Sequence, residues 1–114
     1  MARKGRTSRT ITNGIKWNLA NGTWIVDLWN GTVTNARTGK QLGAVNSSGY
    51  KVARGRDGIL YYVHQIIAIA GGIDIVDKVI DHCNRDRLDN RLINLRAVEP
   101  RENIRNRGGK FAKC

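Results

Sequence analysis

Asp81 and His82 stand side by side at the end of the run Lys78-Val79-Ile80, Asn94 opens a second apolar run, Leu95 to Val98, and Asn103 follows Pro100. Imidazole titrates near neutrality, so a histidine can take a proton from water. Carboxylate and amide oxygens are hard donors that suit Mg2+ or Mn2+ rather than Zn2+. Breaking a phosphodiester requires an activated water, neutralised charge on the phosphoryl group and help for the departing oxygen. A histidine, an aspartate and an amide can between them supply all three. The same residue types also serve as ordinary turn and cap formers, and the spacing alone does not choose between the two uses.

Two short strands, the long Asn/Asp/Arg-rich loop between them and a helix opened by Pro100 must position these groups. Upstream, Val63, Ile66, Ile67 and Ala70 fall at i, i+3, i+4 and i+7, which predicts a short helix ended by Gly71-Gly72. His64 lies beside that apolar face and reads as a structural residue. Further back, Asn-Gly occurs at 13–14, 21–22 and 30–31, between segments that alternate (Ile15, Trp17, Leu19; then Trp24, Val26, Leu28). Asn-Gly between alternating runs is a hairpin signal, so residues from Ile11 on are predicted to form an antiparallel meander. Weaker strands follow at Gln41 to Val45, Tyr50 to Arg54 and Ile59 to Tyr62. The three tryptophans are assigned mainly to this sheet, base stacking by one of them being the alternative. Lys51, Arg54 and Arg56 gather near the last hairpin, either as a solvated face or as a rim facing nucleic acid.

The fold class expected is α+β, in one small domain of 114 residues. Its parts are a basic arm at 1–10, an antiparallel β region with a helix at 11–72, the site-bearing unit at 73–107 and a tail at 108–114. Lys and Arg number 20 against 9 Asp and Glu, a formal net charge of +11. Such an excess points to a polyanionic partner, most often nucleic acid, and the arm is either a frayed tail or a strap along phosphates. No apolar run is long enough to span a bilayer, and the basic start lacks the apolar core of a secretory signal. No membrane association is expected. Cys83 and Cys114 do not make a disulfide framework, so a reduced, cytoplasmic chain is expected.

Residues 78–106 resemble the HNH, or ββα-metal, nuclease family, most of all its small phage and homing-type endonucleases. Asp81-His82, Asn94 just before Leu95-Arg96-Ala97-Val98, and Asn103 on the closing helix carry the likeness. Val63-His64-Gln65-Ile66-Ile67-Ala68 is similar to a helix that precedes the motif in those proteins. The resemblance implies an endonuclease that hydrolyses DNA phosphodiesters, nicking or cutting both strands, with one Mg2+ or Mn2+ ion. His82 would be the general base, and Asp81 and Asn103 the metal ligands. Asn94 would tether the loop and orient the His82 ring, while Asn90 would staple the loop. Arg96, Arg101 and Arg105 are candidate phosphate contacts that the motif does not fix. Two departures stand out. The last motif position is Asn103 where many relatives have histidine, and the loop reads Cys83-Asn84-Arg85-Asp86 where relatives often carry an Ile-Asp-Gly-Asp-like turn. The paired zinc-binding cysteines of many relatives are missing, so no structural zinc is expected. Double-strand cutting would call for a homodimer or successive nicks. A non-catalytic DNA- or RNA-binding module of the same fold is the alternative function.

Overall fold

A computed structural model describes residues 7–100. In chain order these form α1 (Ser8–Ala20), β1 (Trp24–Asp27), β2 (Thr32–Asn35), β3 (Gln41–Leu42), β4 (Ala44–Val45), β5 (Lys51–Arg54), β6 (Leu60–Tyr62), α2 (Val63–Ala70), β7 (Val79–His82) and β8 (Leu95–Val98). A single 3-10 turn at Leu92–Asn94 leads into β8. The α+β class holds. Three small antiparallel sheets, β1-β2-β3, β4-β5-β6 and β7-β8, surround α2. Asn103, Arg101, Arg105 and the helix expected after Pro100 lie outside the described residues.

The helix α2 is the centre of the core. Val63, Ile66, Ile67 and Ala68 are at most 1% exposed, because a short helix among three sheets is covered on nearly every side. Ile15, Trp24, Val33, Tyr61, Ile75 and Leu95 pack around it. Gly71 closes the helix, its N–H donating to the Ile67 carbonyl at 2.9 Å, and the predicted limits of α2 stand. Among the described residues no helix is long and apolar enough to cross a membrane.

The start of the predicted meander is instead a helix. Ile11, Ile15 and Leu19 recur every fourth residue, and that stripe is what α1 turns to the core, with Ile15 fully buried. Thr7 caps the helix, its hydroxyl accepting from the Thr10 N–H at 3.1 Å. The first turn takes in Ser8, Arg9 and Thr10, from within the stretch read as an arm. Asn13-Gly14 is therefore no hairpin turn. Gly14 is small because the Tyr61 hydroxyl occupies the place its Cβ would take. Asn21-Gly22 ends α1, and only Asn30-Gly31 sits in a hairpin turn, between β1 and β2. Asn18, fully buried, ties the helix to the β5–β6 turn. Its amide donates to the Gly14 carbonyl and to Asp57 Oδ2, and its oxygen accepts from Thr23 Oγ1 and the Arg56 N–H.

The tryptophans also divide differently from the sheet-core reading. Trp24 alone is in the core, edge-on to Tyr61 with its indole N–H on the Arg54 carbonyl. Trp17 is half exposed on α1, and Trp29 is 84% exposed at the tip of the β1–β2 hairpin. The strand expected at Gln41 to Val45 is broken by Gly43, whose φ of 130° sends β3 and β4 into different sheets.

Candidate functional site

The site lies where β7 ends. In the β7–β8 ladder Asp81 stands opposite Arg96, and His82 opposite Leu95. Cross-strand partners lie close enough for long side chains to meet. Arg96 accordingly donates through Nε and Nη2 to Asp81 Oδ2, at 3.2 and 3.1 Å. Both side chains are partly exposed (26 and 32%), which makes the pair a modest contributor to stability. Asp81 Oδ1 has no bond among the described residues. The arginine expected to meet a phosphate is thus engaged with the aspartate expected to hold a metal.

His82 is 7% exposed, and a ring of aromatic groups encloses it. His64 lies edge-on at 5.2 Å between ring centroids, and Tyr50 is 6.3 Å away. Tyr62 stacks on His64 at 5.2 Å and 13°. Burial pushes the His64 imidazole down to about 3, and His82 beside it acts in the same direction. His64 is therefore a neutral wall at ordinary pH, as the structural reading expected.

Asn90, not Asn94, reaches the His82 ring. His82 Nε2 lies 2.9 Å from Asn90 Oδ1. A carbonyl oxygen can only accept, so Nε2 carries the hydrogen and Nδ1 keeps the lone pair. Asn90 is 2% exposed, and its own Nδ2 has no partner among the described residues. Asn94 does the stapling. Its Oδ1 accepts from the Asn84 N–H at 3.0 Å, and its Nδ2 donates to Asn84 Oδ1 at 3.0 Å and the Asp89 carbonyl at 2.8 Å. Asn94 keeps the tethering expected of it, while the ring contact expected of it falls to Asn90. Residue type cannot separate them, since either amide could fill either role, and only the path of the loop decides.

The loop itself is tightly cross-braced. Asn84 donates to Asp89 Oδ2, and Arg91 donates to the same carboxylate through Nε and Nη2, each at 2.8 Å. The Arg91 side chain holds the Asp89 carboxyl down to about 2, with burial pulling the other way. Arg85 takes the left-handed conformation, φ 64°, which favours glycine. The chain accepts about 1–2 kcal/mol of strain there to keep the turn. From outside, the β1–β2 hairpin backs the loop. The Leu92 N–H donates to the Leu28 carbonyl, and Gly31 leaves no room for a Cβ against the backbone of Asn90 and Arg91. Nothing in the sequence pointed to this brace, although Asn30-Gly31 did mark the turn that makes it.

The basic residues expected at a nucleic-acid rim are spread along the β5–β6 hairpin. Arg54 and Arg56 lie at the far end of the β5–β6 hairpin from Tyr50, where with Arg37 they line an open groove of about 700 Å³. Lys51, next to Tyr50, is at the near end. Cys83 is half-buried at the loop's start, its N–H on the Asn94 carbonyl. Among the described residues no three His, Cys, Asp or Glu side chains cluster as metal ligands. Asp81 is the hard donor the described part offers, and a carboxylate suits Mg2+ or Mn2+. Asn103 lies beyond the described residues.

Comparison with known proteins gives two findings. Residues 61–105 match the family model described as HNH endonuclease. The structure resembles a solved one titled "DNA binding and cleavage by the HNH homing endonuclease I-HmuI", with a TM-score of 0.65 and 26% identity. The match covers 82% of this chain and 56% of that one, so the chain spans little more than half the length of that structure. No curated protein sequence matches the chain.

Proposed function

We propose that this chain, whose residues 61–105 match the HNH endonuclease family model, is a metal-dependent DNA endonuclease that hydrolyses phosphodiester bonds with His82 as general base. The observation that carries this is the His82–Asn90 bond. With Asn90 Oδ1 as acceptor, Nδ1 is left as the basic nitrogen, on the residue next to a carboxylate whose Oδ1 has no hydrogen bond among the described residues. Asp81, with Asn103 from the following segment, would hold one divalent ion, Mg2+ or Mn2+. When bound, such an ion supplies neutralisation of the phosphoryl group and the leaving 3′ oxygen. The ring cluster of Tyr50, Tyr62 and His64 keeps the imidazole in place while water is deprotonated. The Asn94 staple holds the loop that carries Asn90.

DNA as substrate is supported by the net charge of +11 and by what the similar solved structure is titled as doing. One site cuts one strand, so nicked circles should accumulate before linear product unless two copies act together. The Asp81–Arg96 pair favours a second reading, a binding module that keeps the fold without turnover. Supercoiled plasmid separates the two when incubated with protein and Mg2+ or Mn2+, with and without chelator. The endonuclease nicks it only with free metal, and His82→Ala stops nicking while leaving DNA binding within about twofold. Intact plasmid under every metal condition, or equal nicking by the variant, defeats the nuclease reading.

A further inference from the structure

Among the arginines of the site, Arg91 is bound to Asp89 and Arg96 to Asp81. Arg87 is held in another way. Its guanidinium carbon lies 5.1 Å from the centroid of the Tyr50 ring, and Nη1 donates to the Ser48 carbonyl at 2.9 Å. No carboxylate among the described residues pairs with it. The residue is exposed, so of its five N–H donors most face solvent. Tyr50, which carries it, is the ring 6.3 Å from His82. Together the two distances place the guanidinium within about 11 Å of the imidazole.

A cation fixed by an aromatic face and one carbonyl keeps its charge and its fork of donors. That is how a protein prepares a guanidinium for a phosphate, whose oxygens take such donors in pairs. The seat also removes much of the rotamer freedom that a surface arginine would otherwise lose on binding.

We propose that Arg87, seated on Tyr50, binds a backbone phosphate at or next to the bond to be cut and so positions the strand before His82. The positioning role rests on the nuclease reading; the phosphate contact does not. Binding of a short DNA duplex, followed by fluorescence anisotropy across a salt series in chelator, measures the contact without turnover. Arg87→Gln is expected to lower the slope of log affinity against log salt by about one. In Mg2+ it should lower kcat/KM roughly 10- to 100-fold, since bonds to charged groups have that weight. Arg87→Lys should restore the slope and only part of the rate, because an ammonium lacks the fork. Arg87→Met keeps the stem over the ring and gives the same reading of the slope should glutamine disturb the loop.

A mere bridge between the 46–49 turn and the loop would lower thermal stability and leave the salt slope as in the wild type. An unchanged slope in a folded Arg87 variant overturns the proposal. A reduced slope in a protein that never cleaves defeats the nuclease reading alone and leaves the phosphate contact standing.

Discussion

Asn94 and Asn90 are four residues apart and both buried, yet their removal should give opposite signatures. Asn94→Ala deletes three side-chain hydrogen bonds, to the Asn84 N–H, Asn84 Oδ1 and the Asp89 carbonyl. At about 0.5–1.5 kcal/mol each, with the Asp89 carbonyl left beneath the loop, the expected loss is about 2–4 kcal/mol. For a chain of this size that corresponds to a fall of roughly 10–20 °C in Tm. Asn90→Ala deletes one bond to His82, but it also removes an amide nitrogen that is buried without a partner among the described residues. These two effects offset, leaving a loss of about 1 kcal/mol or less. The catalytic consequence runs the other way. Without Asn90 the ring loses the acceptor that keeps the hydrogen on Nε2, and outer partners of this kind typically carry about 10- to 100-fold in rate. Urea unfolding gives the stabilities, with unchanged m values as the check that the unfolded state is the same. Plasmid nicking, corrected for the folded fraction, gives the rates. An Asn94→Ala variant within about 0.5 kcal/mol of wild type, or an Asn90→Ala variant with undiminished kcat, would show this division of labour to be wrong.

Gly31→Ala should be far more damaging than Gly22→Ala, although both glycines have φ near 70°. Position 22 has open space, so the change there adds only the left-handed strain of about 1–2 kcal/mol, whereas at 31 the methyl must displace the backbone of Asn90 and Arg91; equal Tm values for the two variants would discount the brace. His64, with its pKa depressed to about 3 from 6.5, takes a proton in the unfolded chain before the folded one. Its contribution is complete above 6.5 and declines as pH falls from there towards 3. Relative to His64→Phe, wild type should lose about 2 kcal/mol between pH 7.5 and 5, read by urea titration at both values, and a constant difference would contradict the buried neutral ring.

Much of the site was legible in the sequence because its chemistry is local. Asp81 and His82 are neighbours in the chain, the apolar runs on either side of the loop can only be short paired strands, and the period of α2 is unambiguous. The first helix was misread for a definite reason. Ile15, Trp17 and Leu19 alternate like a strand, while Ile11, Ile15 and Leu19 repeat every fourth residue like a helix, and Asn13-Gly14 tipped the balance. That glycine answers to Tyr61, some 47 residues later in the chain, and no local pattern contains such a contact.

Composition and order alone determined that this is a basic α+β domain with an imidazole and a carboxylate at one strand end. Which asparagine meets the imidazole, which arginine is spent on Asp81 and which stays open over Tyr50 were decided only by the tertiary structure. The physical reason is that hydrogen bonds and ion pairs act over about 3 Å, and the chain path that brings groups that close is set by the burial of α2 among three sheets rather than by the residues that end up in contact.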